Sequence, residues 1–262
     1  MRRTKVSIIT SVFNRCDTVA QALDSVFAQT YPELESIVVD GGSTDGTLAV
    51  LANYRSRLAS LSSEPDNGIY DAMNKGINLA TGEVIGTLNA DDFYTTPDVL
   101  ASVAAIFEDP AVMSCYGNLE YVRDTNTGYG SVSPSGFSVV RHWQSGPFNR
   151  DKFKWGWMPP HPTFFVRRSM YEKFGPFRLD MGSAADYELM LRFLFKHRIT
   201  ASYIPEVLVQ MRAGGVSNST LTNRLRANRM DRLAWSVNGL TPYPWTLLLK
   251  PLRKLPQFLR RF

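Results

Sequence analysis

Ser36-Ile37-Val38-Val39-Asp40-Gly41-Gly42-Ser43-Thr44-Asp45-Gly46-Thr47 is the stretch on which the fold turns. A short apolar run ends in an acid, a glycine pair breaks it, and Leu48 and Leu51 open a helical face. That is a strand, a turn and a helix in succession. The same order recurs on both sides. Upstream, Lys5 to Phe13 is β-rich and ends at Asn14-Arg15, and residues 17–29 place Val19, Leu23, Val26 and Phe27 at helical spacing. Downstream, residues 69–80 fit a helix with Ile69, Met73, Ile77 and Ala80 inward. Val84 to Leu88 then reads as a strand that stops at Asn89-Ala90-Asp91-Asp92. Thr96-Pro97 opens a further helix with Val99, Val103, Ile106 and Phe107 inward. Alternation of this kind predicts an α/β chain with a parallel or mixed sheet and helices on both faces. Ligands of such sheets bind beyond the C-terminal ends of the strands, where Asp40, Asp91 and Asp92 fall.

Beyond residue 116 the periodicity weakens. Residues 117–160, rich in Gly, Ser, Asn and aromatics, read as extended loops and short strands. Regularity returns with a strand at 163–166, a helix stopped by Gly175, a helix at about 183–197, a strand near 202–209 and a helix near 219–235.

The 262 residues are 44% hydrophobic and 20% charged, a composition that excludes a wholly disordered chain. No apolar run approaches the roughly 18 residues of a membrane span, and Met1-Arg2-Arg3 leads into a strand rather than a secretory leader. Cys16 and Cys115 make no metal or redox pattern, so cytosolic residence with reduced thiols is expected. The net charge of +5 is uneven: residues 1–211 carry 19 basic and 23 acidic residues, residues 212–262 carry 10 and one. A local basic patch is expected, and no nucleic-acid partner.

Three segments carry chemistry. Adjacent carboxylates at Asp91 and Asp92 repel, and a hard divalent cation with substrate phosphates relieves that; a helix cap or turn is the other reading. Asp40 at a strand end suits a base or ribose, and the glycine pair lets backbone approach a ligand, although an ordinary turn has the same composition. In 64–83, EPDNGIYDAMNKGINLATGE, polar residues crowd a helix start; Lys75 either meets a phosphate or lies on a solvated face.

Taken in order, Thr10-Ser11-Val12-Phe13-Asn14, the 38–47 run, the 64–83 run and Asn89-Ala90-Asp91-Asp92 resemble the family 2 glycosyltransferases. Within them the chain is most similar to non-processive bacterial enzymes of colanic-acid-type exopolysaccharide assembly, over about residues 4–218. The resemblance implies the GT-A fold, a mixed, mostly parallel central sheet, with a nucleotide-sugar half at 1–116 and an acceptor half at 117–240. It implies nucleotide contacts from Thr10, Val12, Asn14, Asp40, Asp71, Asn74, Lys75 and Asp91. It implies that Asp92 binds Mg²⁺ or Mn²⁺ bridging the donor diphosphate, with Asp91 on ribose or a metal-bound water. Asp186, in Met181-Gly182-Ser183-Ala184-Ala185-Asp186-Tyr187-Glu188, matches the family's general base; taken alone it would read as a helix cap. His161 matches a histidine that touches acceptor, phosphate or metal, and is as readily structural. Gly214-Gly215-Val216-Ser217 matches a loop over the donor. Departures are Asn89 for the first acid, Met73 where many relatives have Arg, and Ala185 where many have Glu.

Thr241 to Phe262 alternates apolar anchors with Lys250, Arg253, Lys254, Arg260 and Arg261 and holds no acid. This amphipathic basic tail is expected either to lie on an anionic membrane surface, at the inner face of the cytoplasmic membrane, or to pack on the body. The activity implied is inverting transfer from a nucleotide diphosphate sugar, a UDP-sugar first, to a polyprenyl-diphosphate-linked saccharide. A processive synthase would need membrane spans and a QxxRW motif, and a nucleotidyltransferase a glycine-rich loop after its first strand; neither is present. A non-catalytic nucleotide-sugar-binding module is the alternative outside enzymes.

Overall fold

The computed structural model describes residues 3–124, 136–214, 221–253 and 257. Val6–Val12 forms β1, with every residue buried. A strand covered on both faces needs apolar or small residues throughout, which is why its sequence runs without alternation. β2 (Leu34–Asp40), β3 (Ser60–Ser63) and β4 (Val84–Thr87) lie parallel to it in the order β3-β2-β1-β4. The crossovers carry α1 (Val19–Phe27), α2 (Thr47–Ala52) and α3 (Ile69–Leu79). α3 packs on one face with Ile9, Ile37 and Val39, while Ile8, Val26 and Val84 meet α4 (Val99–Ile106) on the other. A Cβ on Gly76 would come within 2.3 Å of Ile9, so α3 lays its own backbone on β1. Ile69 was expected inward but is 45% exposed, because the sheet that buries Met73 and Ile77 does not extend to the first turn.

The chain passes from β1 outward to β3, then crosses back to β4 on the other side of β1. The crevice between the C-terminal ends of β1 and β4 is therefore the switch point of the sheet.

Residues 117–160, expected as extended loops and short strands, hold more regular structure than that. β6 (Ser114–Asp124) is a long strand inside the sheet, and β7 (Phe137–Trp143) pairs with its outer part. Its polar side chains are spent across strands: Asn118 accepts from Tyr203 Oη at 2.8 Å, and Glu120 from Gln210 Nε2 at 2.8 Å. Hence the apolar periodicity is weak although the strand is real. β8 (Phe165–Arg167) is antiparallel to β4 and β6, and β9 (Ala201–Arg212) is parallel to β6. β5 (Asp92–Tyr94), also unexpected, pairs antiparallel with β9 and closes the order β3-β2-β1-β4-β8-β6-β9-β5. α5 (Arg168–Phe174), α6 (Ala185–Met190), α7 (Leu221–Val237) and α8 (Thr246–Leu252) complete the described elements. None of these helices is long and apolar enough to cross a membrane. α8 docks on the body: Leu247 is buried and Lys250 Nζ lies 2.7 Å from Asp231 Oδ2. This part of the tail is thus no free amphipathic ribbon; residues 254–256 and 258–262 lie outside the described residues.

At the opposite end of the sheet Glu35 is buried. It accepts from Lys5 Nζ (2.9 Å), Ser7 Oγ (2.5 Å), Thr81 N (2.8 Å) and Thr81 Oγ1 (2.6 Å). Burial pushes its carboxyl up, but the Lys5, Ser7 and Thr81 donors together outweigh it and hold it at about 2, below the ordinary 4.5. A carboxyl depressed on folding adds stability above its unfolded value and loses it as pH falls through the folded one. Stability should therefore drop between about pH 4.5 and 2. Glu35→Gln should cost about 1–3 kcal/mol at neutral pH and flatten that limb, as read by denaturant unfolding across pH. An unchanged acid limb would refute the assignment.

Candidate active site

The loops after β1 and β2 are knitted together. Asp40, fully buried, accepts from Gly42 N (3.1 Å), Ser43 N (3.0 Å) and Ser63 Oγ (2.7 Å), and also from Ser43 Oγ. Asn14 adopts φ 49°, donates its N–H to Ser43 Oγ at 2.7 Å and accepts from Thr44 N at 2.9 Å. Arg15 N donates to Thr47 Oγ1 at 2.8 Å and Cys16 N to Asp45 Oδ2 at 3.1 Å. Asp40 and Asn14 thus shape the turn with their own side chains. Two further residues of the expected nucleotide set are buried: Thr10 lies within β1, where its Oγ1 has no partner, and Val12, at the end of β1, packs with Val19, Leu23 and Leu51.

The start of α3 gives a similar result. Asp71 Oδ2 accepts from Asn67 N at 3.0 Å, so it ties the first turn of α3 to the loop before it. Lys75 Nζ lies 2.9 Å from Glu64 Oε1 and 3.9 Å from Asp71 Oδ2. The Glu64 hydrogen bond outweighs desolvation and holds the ammonium pKa above its ordinary value. Asn74, expected at the nucleotide, spends both ends of its amide on Phe177: Nδ2 donates to the carbonyl and Oδ1 accepts from the N–H, each at 2.9 Å. It pins the Phe177 segment to α3.

At the switch point the acids behave differently. Asp91 is about a third exposed, and Arg15 Nε stands 3.7 Å from its Oδ2. The Asp91 carbonyl accepts from Arg212 Nη1 at 3.0 Å. Asp92 is buried at the head of β5; Oδ2 accepts from Asn89 Nδ2 at 2.9 Å, while Asp92 Oδ1 and Asn89 Oδ1 have no partner. Burial pushes the Asp92 carboxyl well above the usual range, and the Asp91 charge pushes it further. Asn14, Arg15, Asp45, Asp91 and Arg212 border a cavity of about 340 Å³. The two orphaned oxygens and Asp91 are hard donors of the kind Mg²⁺ and Mn²⁺ take. Among the described residues no three His, Cys, Asp or Glu gather as a metal site. The donor set fits an ion that draws its remaining ligands from a substrate phosphate. Arg15 and Arg212 escaped the sequence reading. Arg212 gave a signal, since it opens the basic C-terminal stretch and stands just before Gly214. Gly214 also lines the cavity, whereas Gly215, Val216 and Ser217 lie outside the described residues.

A second group of residues gathers at α6. Asp186 is half-buried and Oδ1 accepts from Tyr187 N at 2.7 Å. Burial lowers the His161 pKa while the Asp186 charge opposes it; burial raises the Tyr70 phenol and Asp186 raises it further. His161 meets Phe177 edge-on at 5.4 Å, and Tyr70 lies 5.3 Å from the same ring. Tyr121 on β6 links the two acids. Burial raises its phenol, Arg141 above its ring at 4.4 Å lowers it, and both Asp92 and Asp186 raise it. Tyr70, Tyr121 and Arg141 were not singled out in the sequence, because nothing local distinguishes them from core aromatics or surface charge. Glu188 is not part of this group: it is buried against Arg192 Nε (2.9 Å) and Asn238 Nδ2 (3.0 Å).

The profile described as Glycosyl transferase family 2 matches residues 7–175. An uncharacterized glycosyltransferase of Mycobacterium tuberculosis is 37% identical over 190 residues, 71% of this chain and 68% of its own length. Staphylococcus aureus TarS 1–349, solved with UDP-GlcNAc, aligns over 89% of this chain with a TM-score of 0.69 and 19% identity. This chain spans 66% of that fragment and 39% of the longer TarS chain. The mannosyltransferase PcManGT of Pyrobaculum calidifontis, solved with GDP-Man and Mn²⁺, aligns over 95% of this chain and 69% of its own at TM-score 0.64 and 22% identity. At these identities the two solved structures show likeness of fold.

Proposed function

The chain belongs to glycosyl transferase family 2 and has the GT-A fold, and on that premise we propose that it is an inverting, metal-dependent transferase. Its donor is a nucleotide diphosphate sugar, a UDP-sugar in the first instance. Its acceptor is a lipid-linked saccharide, on a polyprenyl diphosphate, in surface or exopolysaccharide assembly. Residues 1–116 are read as the donor half, 117–240 as the acceptor half and 241–262 as the membrane-side tail, at the inner face of the cytoplasmic membrane.

One observation carries the reading: Asp92 and Asn89 offer unpartnered buried oxygens at the switch point, beside Asp91. Asp92 and Asn89, with Asp91 beside them, would hold Mg²⁺ or Mn²⁺, which offsets charge on a departing diphosphate. Arg15 and Arg212 add fixed positive charge at the cavity that Asp91 borders, where phosphate oxygens would sit. Asn14 and Asp45 form its nucleotide-side wall, and Asn14 is tied to the Gly42–Ser43 turn that Asp40 holds. Asp186 takes the proton of the acceptor hydroxyl as that oxygen attacks the anomeric carbon. One displacement then inverts the anomeric centre. His161, kept neutral by burial, and Tyr70 flank Asp186 and orient the acceptor.

Calorimetric titration with UDP, GDP and dTDP, each with and without Mn²⁺, tests the donor half. One nucleotide is expected to bind, and only with the metal. A folded sample that binds none of them would shift the reading to a non-catalytic module.

A further inference from the structure

α8 divides its faces between the body and solvent. Thr246 and Leu247 are buried, and Thr246 Oγ1 donates to the Lys154 carbonyl at 2.5 Å. Lys250 Nζ stands 3.7 Å above the Tyr187 ring and pairs with Asp231. The outward face carries Leu248 and Leu252, with Tyr243 and Trp245 just before it. Trp155, from a turn far earlier in the chain, joins them: its ring lies 5.9 Å from Trp245 and 6.3 Å from Tyr243, which are 5.1 Å apart. These five side chains are 38–64% exposed. Cations edge the patch. Lys154 Nζ lies 5.1 Å from the Tyr243 ring, and Arg253 Nη1 donates to the Trp155 carbonyl at 3.4 Å. Arg232 lines an open cavity of about 620 Å³ beside Tyr243 and Pro244. Residues 241–253 hold no acid, and the nearby Asp231 is neutralised by Lys250.

A single exposed leucine needs no explanation, but three grouped rings and two leucines rimmed by cations mark an interaction surface. Trp and Tyr settle at the headgroup level of a bilayer, and cations beside them meet anionic lipid phosphates. We propose that this face, built by Trp155, Tyr243, Trp245, Leu248 and Leu252, is the surface on which the protein sits on an anionic bilayer. Within residues 241–253 it is this face, and not the whole run, that meets the membrane, since Leu247 and Lys250 are spent on the body and Trp155 comes from elsewhere. The surface deepens the transferase reading and rests on it for one consequence. α8 lies on Tyr187, next to Asp186, and the short run from Trp155 leads to His161. A bilayer held here brings a membrane-borne acceptor to the side of the protein that carries the base.

The test sediments the full chain with vesicles containing phosphatidylglycerol and with vesicles of phosphatidylcholine alone, donor absent. Wild type should prefer the first. The triple variant Trp155→Ser, Trp245→Ser, Leu248→Ser should bind them at least about tenfold more weakly while keeping its nucleotide titration. Lys154→Gln with Arg253→Gln should lose the preference for phosphatidylglycerol. Wild type that fails to sediment, or a triple variant that sediments equally, overturns the proposal. So does a wild-type dimer that the triple variant dissolves with vesicle binding unchanged, because the face would then hold a second copy. A chain that binds vesicles but no nucleotide would refute the transferase reading and leave this surface standing.

Discussion

Asp186→Asn is expected to retain nucleotide binding and to slow sugar transfer by about 10²–10⁴. The amide keeps the shape of the side chain, and its oxygen can still accept from Tyr187 N as Asp186 Oδ1 does at 2.7 Å. What it loses is the ability to take a proton from the attacking hydroxyl. Binding and chemistry are thereby separated: the proposed donor contacts lie at the β1–β4 crevice, and Asp186 stands on α6. The measurement pairs a UDP–Mn²⁺ titration with the transfer rate. Transfer near the wild-type rate would remove Asp186 from the role of base. Loss of nucleotide binding would mean that the α6 side chain supports the donor site, and the division between the halves would fail.

Asp92→Ala should weaken metal-dependent nucleotide binding by more than about tenfold. The carboxyl is buried, its Oδ1 has no partner, and burial together with Asp91 disfavours its charged form. A cation reverses that balance, since it favours the ionised acid and uses the idle oxygen. The metal-free variant should lose only about the 1–3 kcal/mol of the Asn89 hydrogen bond, while the rise in Tm that Mn²⁺ and UDP give the wild type should disappear. Matching titration curves for variant and wild type would refute the metal assignment.

The parallel core was legible because its strands are covered on both faces. Ile37 to Asp40 and Val84 to Thr87 read as short apolar runs, and the acids after them fall at the end where such sheets bind ligands. The pairing of Asp91 and Asp92 was legible for the same reason, as adjacent charges after a buried strand. The surroundings of several neighbouring side chains were not legible. Thr10 and Val12 belong to the motif, yet a strand buries them, and Asn74 binds the backbone of Phe177 rather than facing the crevice. A motif marks residues that sit near one another in sequence; it does not say which way each side chain turns.

By itself the sequence determined β1, α1, β2, α2, α3, β4 and α4 in their order, and the end of the sheet that carries the acids, but not β3 or β5. These rest on local signals: apolar runs, breakers and charges within a few residues of each other. The tertiary structure alone decided what those residues meet. β5 exists because Asp92–Tyr94 finds Val209–Met211 on β9, and Arg212 reaches the Asp91 carbonyl across 121 residues of chain. Tyr121 lies between the fields of Asp92 and Asp186 only because β6 runs through the middle of the sheet. Trp155 joins Trp245 only because α8 folds back onto the Lys154 carbonyl. Each of these contacts follows from closing a long loop and is stabilised by the surrounding core, so no local window of sequence contains the information to specify it.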